Sequence, residues 1–210
     1  MQTSLPVVAI RSLSLPLALM ALLMLPAPAA HAIMMTFVGN LSGANEVPSN
    51  ASPGTGLATI FLDPTAQTLQ VNVTFSGLMS TDTAAHIHCC APLGTNAVVA
   101  TTVPTFPGFP LGVTSGTYSS QVFDLTQPLI YNPAFITLEG GIAQAEAALI
   151  AGIEGGQTYF NIHTVNIPGG EIRGQLSAVP LSPLPAPVSL VLVGLALFGF
   201  RLMRWRRQST

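Results

Sequence analysis

Apolar and polar positions alternate with a period of two along much of this chain, the pattern of strands that lay one face on a core. Thr36-Phe37-Val38-Gly39-Asn40-Leu41 and Leu57-Ala58-Thr59-Ile60-Phe61-Leu62 both carry it. Thr68 to Phe75 carries it most cleanly, with Leu69, Val71, Val73 and Phe75 on one face. Between the last two lies Asp63-Pro64-Thr65-Ala66-Gln67, whose Asp-Pro start has the chemistry of a hairpin connection. Further strands are predicted over Ala84 to Cys89, Val98 to Val103, Gly116 to Leu125, Thr158 to Thr164 and Glu171 to Ser177. Eight short strands punctuated by Gly, Pro and Asn predict an all-β fold, an antiparallel two-sheet β-sandwich with Greek-key connections. One helical insertion interrupts it: Gly141 to Gly155 places Ile142, Ala145, Leu149 and Ile153 at helical spacing between glycines. Pro104 to Gly112 is an irregular loop whose Phe106 and Phe109 are expected to cap the core.

The longest apolar runs follow neither period and lie at the two ends. Arg11, the apolar stretch Ser12 to Leu25 and the small residues of Ala30-His31-Ala32 read as a secretory signal peptide over 1–32, with the mature chain starting near Ile33. Pro16, Pro26 and Pro28 argue against an uncleaved anchor helix. At the other end, 180–187 is a proline-stiffened linker. Val188 to Phe200 is free of charge, and with Leu202, Met203 and Trp205 it approaches the ~17 residues that can span a bilayer as a helix. Arg201, Arg204, Arg206 and Arg207 would keep that end cytoplasmic and put the folded domain across the membrane. The stretch from Val179 to Arg207 resembles the bacterial PEP-CTERM sorting tail, which implies a membrane anchor over 188–207 and handling by a sorting protease (exosortase). Ala186 stands between Pro185 and Pro187 where that family usually has Glu, so the resemblance implies anchoring more firmly than cleavage.

Setting the ends aside changes the composition of what remains. Residues 33–179 form one domain-sized stretch, with a hydrophobic core to be expected at that length. All eight acids of the chain lie in this stretch and Arg173 is its one base, which leaves it at about −7 before histidine. Such a surface repels phosphate backbones and excludes nucleic acid as a partner. The Gly-rich stretches Gly54-Thr55-Gly56 and Gly169-Gly170 lack a following Lys-Ser/Thr and read as turns, not phosphate cradles.

Three stretches carry a family resemblance: Leu41-Ser42-Gly43-Ala44-Asn45-Glu46-Val47-Pro48, then Ala85-His86-Ile87-His88, then Tyr159 to Thr164 followed by Pro168-Gly169-Gly170-Glu171-Ile172-Arg173-Gly174. In order and spacing, over about Phe37 to Leu176, they resemble the CHRD (chordin-type) domain. The resemblance implies an extracellular β-sandwich of superoxide-dismutase-like or immunoglobulin-like topology. Such domains occur in bacterial surface proteins and in animal chordin, where they accompany binding of secreted growth factors.

The chemistry-bearing residues fall inside these motifs. His86 and His88 lie two apart on a predicted strand and project from one face, and His163 lies on a later strand that the fold can bring alongside. A His-x-His pair with a distant third His is a copper or zinc arrangement, because imidazole suits both metals. A dismutase site would need more histidines than this domain has. Cys89 and Cys90 follow His88 directly, and period two puts Cys90 on the histidine face if the strand continues that far. The metal set predicted is therefore His86, His88, His163 and Cys90, with thiolate favouring copper. The alternatives for the cysteines are a vicinal disulfide, pairing between molecules, or free thiols. For the histidines the alternative is a polar cluster that hydrogen-bonds locally. Glu171 and Arg173 alternate on one strand and read as an ion pair or as orienters of an imidazole. Glu46 reads as an acceptor of backbone N–H groups near a turn. The function expected is non-enzymatic: a domain displayed on the bacterial envelope or secreted, making matrix, polysaccharide or protein contacts. The alternative is an extracytoplasmic copper- or zinc-binding protein.

Overall fold

The computed structural model describes residues 34–180. The expected signal peptide, the anchor at 188–207 and the linker beyond Pro180 lie outside the described residues. Ten strands form: β1 (Met35–Ser42), β2 (Thr55–Asp63), β3 (Thr68–Ser76), β4 (Asp82–Cys89), β5 (Val98–Val99), β6 (Gly116–Ser119), β7 (Phe123–Asp124), β8 (Tyr159–Thr164), β9 (Ile172–Gln175) and β10 (Ser177–Ala178). Two helices, α1 (Pro133–Glu139) and α2 (Ile142–Glu154), are inserted before β8. Among the described residues no single helix is long and apolar enough to cross a membrane.

All the paired strands are antiparallel, in the order β5-β4-β8-β9-β1-β2-β3-β6, with β10 on β1 and β7 on β3. The all-β expectation holds, but where two separate sheets were expected the hydrogen bonding follows one continuous path. The stitch is the segment from β9 to β10. Its first half pairs with β8 over four residues, its second half pairs with β1, and β9 itself meets β1 at one register position, Ser42 with Arg173. The backbones approach closely there: a Cβ on Gly174 would lie 2.6 Å from the Asn40 carbonyl oxygen, and one on Gly39 would lie 2.9 Å from that of Gly174. Glycine at both positions is what lets one strand serve two neighbours.

Register then sorts side chains onto two faces. Phe37, Ile60 and Val71 form one cross-strand row on β1–β3, and Ile87 with Phe160 and Ala85 with Ile162 do the same on β4 and β8. All of these are fully buried and belong to one apolar core. The loop at 104–112 closes that core as expected: Phe106 stacks on Phe160 and Phe123 at 6.2 and 5.7 Å, and Phe109 on Phe75 at 5.7 Å. Helix α2 buries Ala145, Leu149 and Ile153.

Three departures from the pattern have local causes. The strand expected over Gly116 to Leu125 breaks into β6 and β7, because Ser120 turns its hydroxyl to accept from the Val71 N–H at 2.9 Å. The strand expected to Val103 ends at Val99; beyond it Ala100 and Thr101 still hydrogen-bond Ile87 of β4, and the rest of the pairing is isolated bridges at Thr105 and Thr101. Helix α1, which the pattern did not predict, is defined by its ends. Asn132 caps it by accepting from Ala134 N, Pro133 occupies its first turn, and Gly140 closes it at φ 91°.

Candidate metal centre

The face of β4, β8 and β9 opposite the core is polar and buried, and the register builds it row by row. His86 pairs with Asn161, Asn161 with Arg173, and Arg173 with Ser42, a straight line across β4, β8, β9 and β1. The next row is His88, Tyr159 and Gln175, and on the other side Ala84 pairs with His163. His86 and His88 are 5% and 7% exposed and His163 is half-buried. Loops roof this face, since the strands alone would leave it open to water.

The structure brings the three histidines together. Ring centroids lie 5.8 Å apart for His86 and His88, 5.0 Å for His86 and His163, and 5.8 Å for His88 and His163. One ligand nitrogen from each lies within 4.8 Å of the other two. Each ring is also held by a loop carbonyl: His88 Nδ1 at 2.9 Å from Ala97 O, His163 Nδ1 at 2.9 Å from Pro168 O, and His86 against the backbone of Pro104. A carbonyl only accepts, so the nitrogen facing it carries the proton and the other nitrogen carries a lone pair. Those others are His86 Nδ1, His88 Nε2 and His163 Nε2, and all three are buried without a hydrogen-bond partner.

Electrostatics keeps the rings neutral. Burial pushes His86 and His88 down to about 4, and the neighbouring imidazoles add to the effect. Burial lowers His163 as well, partly offset by its bond to Pro168. Tyr159 stacks on His88 at 4.6 Å and nearly parallel, and the Arg173 guanidinium lies 4.2 Å over the Tyr159 ring. Arg173 also donates from Nη1 to Asn96 Oδ1 at 2.9 Å. Asn161 donates to Glu46 Oε1 at 2.9 Å. Glu46 is buried, and desolvation lifts its carboxyl to about 7 against the pull of Arg173 and Asn161.

Cys90 is placed elsewhere. Strand β4 stops at Cys89, so the alternation that would have put Cys90 beside the histidines ends one residue early. Its sulfur is joined to that of Cys89, and both sulfurs face α2, where they approach the Ala148 carbonyl and the Cβ-less Gly152. Glu171 is placed elsewhere too. It precedes β9 and accepts from Ser52 Oγ, Met79 N and Thr164 Oγ1, each at 2.6 Å, and it neither pairs with Arg173 nor orients an imidazole. Glu46 accepts from the Asn161 side chain besides the backbone of Val47, where backbone N–H groups alone were expected. Tyr159 and the three loop carbonyls were not foreseen. The tyrosine was within reach, because Tyr159-x-Asn161-x-His163 repeats the period of His86-x-His88.

The CHRD domain profile matches residues 37–176, the stretch that contains all of these residues. No curated protein and no solved structure matches the chain.

Proposed function

Since this chain belongs to the CHRD domain family, we propose that it is an exported domain whose histidines His86, His88 and His163 hold one copper or zinc ion outside the cytoplasm. The observation that carries the reading is the set of three buried lone pairs, each on an imidazole whose other nitrogen is tied to a carbonyl. Leaving a buried polar atom unpaired costs about 1–3 kcal/mol, and with one nitrogen of each ring within 4.8 Å of the other two, one cation explains the three together. A carbonyl behind each ligating ring is the usual support of a metal-bound histidine, because it fixes the tautomer. Metal–nitrogen bonds of ~2.1 Å put three tetrahedral donors ~3.4 Å apart, so a pair at the 4.8 Å limit would close by roughly 1.4 Å through side-chain rotation.

Three imidazoles suit both metals, and copper binds more tightly than zinc to a given nitrogen set. With Cys90 in a disulfide, no thiolate enters the set. Three protein ligands leave one position for water or a small ligand, on the side of half-buried His163. The role proposed is to hold the ion, not to turn over a substrate. The signal-like N-terminus and the PEP-CTERM-like tail support an envelope location, where contacts with matrix, polysaccharide or other proteins would take place.

Titrating chelator-treated protein with copper and with zinc, read by calorimetry and melting temperature, tests the reading. One ion per chain and a raised melting temperature are expected, with His86→Ala and His163→Ala each losing both. Unchanged melting at saturating copper and zinc would overturn it.

A further inference from the structure

A second polar site lies on the same face of the sheet, beyond Tyr159 from the histidines. It is a cleft of about 420 Å³ whose lining includes Asn40, Asn45, Glu46, Val47, Leu93 and Arg173. That volume falls within the ~300–1,000 Å³ typical of small-molecule sites.

The unusual member is Arg173. It is the one base between residues 33 and 179, in a stretch with eight acids, yet it is only 2% exposed. A guanidinium taken out of water is costly unless a counter-charge meets it. Among the described residues, the groups recorded against it are the Asn96 side-chain oxygen and the Tyr159 ring, and no carboxylate hydrogen-bonds it. The nearby acid fills the role only in part: burial lifts Glu46 to about 7, so near neutral pH only part of it is charged, and its Oε1 is already engaged by Asn161. Arg173 therefore presents a planar, pre-positioned fork of donors to the cleft, the group best matched to a carboxylate.

The remaining lining describes the rest of the ligand. The Asn40 side chain is exposed and makes no hydrogen bond among the described residues. Leu93 is 76% exposed at the rim, with Val47 at 36%, an apolar edge of the kind that packs against the C–H face of a ring. The domain's negative charge repels an anion at long range, but exposed charges are screened beyond about 8 Å at physiological ionic strength. Inside the cleft the local guanidinium dominates.

We infer that the cleft between Asn40, Leu93 and Arg173 binds a small carboxylate-bearing, hydroxyl-rich ligand, of which a hexuronate sugar unit is the type, with its carboxylate on Arg173. The inference does not rest on the metal reading. Calorimetric titration of chelator-treated protein with glucuronate and with glucose separates the two, since no ion on the histidines can then supply the binding. Glucuronate is expected to bind at least tenfold more tightly than glucose. Leu93→Glu and Asn40→Asp, both exposed and harmless to the core, are each expected to weaken glucuronate about fivefold through like-charge repulsion and to leave the copper titration unchanged. Arg173→Lys, which keeps the charge and loses the fork, is expected to reduce the preference over glucose without abolishing it. Glucuronate binding no tighter than glucose, or binding unaffected by both exposed variants, would overturn the inference.

Discussion

Glu171 shows how a single residue can be conspicuous in sequence and structural in fact. Its carboxylate is fully buried and accepts three hydrogen bonds of 2.6 Å, from Ser52, Met79 and Thr164, tying the loop before β2, the loop before β4 and the end of β8 to one point. Glu171→Gln turns an amide donor toward groups that are themselves donors. The expected cost is about 2–4 kcal/mol, read from urea unfolding, with little change in metal affinity; a loss under 0.5 kcal/mol would contradict the role. The histidines were legible because their spacing alone puts His86 and His88 on one face. Their roofing was not, because Ala97, Pro104 and Pro168 contribute backbone carbonyls, which no side-chain pattern reports. Cys90 was misplaced for a related reason. Alternation says which face a residue takes only while the strand lasts, and β4 ends at Cys89.

At the scale of elements, the segment from β9 to β10 determines how the sheet closes. It pairs with β8 on one side and with β1 on the other, and the crossing depends on Gly39 and Gly174. A Cβ at Gly174 would meet the Asn40 carbonyl oxygen at 2.6 Å and the Gly39 carbonyl carbon at 2.8 Å, both of them backbone atoms that yield only if the strands separate. Gly174→Ala is therefore expected to destabilise the protein by about 2–3 kcal/mol and to weaken metal binding as well, since Arg173 and the row that includes His86 lie beside it. Unchanged chemical denaturation would contradict this account of the junction. The long strands β1 to β4 were readable from period two, because one face of each meets the core. The merging of the expected two sheets was not, because it depends on close backbone contact between glycines far apart in the chain. Helix α1 was readable in principle from Asn132-Pro133 and Gly140, but seven residues are too few for periodicity to reveal.

For the whole molecule, the buried titratable groups give the metal-free protein a definite dependence on pH. His86 and His88 are held near 4 and His163 is also lowered, so the unfolded chain, with histidines near 6.5, takes up protons first as the pH falls. Their contribution to stability is present above 6.5 and is lost on acidification toward 4. Glu46 acts oppositely: its folded value near 7 exceeds the unfolded 4.5, so its contribution is present below 4.5 and is lost as the pH rises through 7. Three imidazoles outweigh one carboxyl. The melting temperature of the metal-free protein is therefore expected to fall between pH 6.5 and 4, and a flat or rising profile would contradict the burial of these rings as neutral groups. Saturating metal is expected to raise the melting temperature at pH 7 through its binding free energy. Net charge and the acidic surface were legible from composition; the concentration of the domain's one base and its three histidines on a single roofed face was not.

On the proposed function three imidazoles, and no sulfur, surround one ion. X-ray absorption at the metal edge of the copper- or zinc-loaded protein tests it most directly. A shell of nitrogen or oxygen near ~2.0 Å is expected, with the outer scattering of three imidazole rings and no sulfur near ~2.3 Å. A sulfur shell, or fewer than three imidazoles, would contradict it.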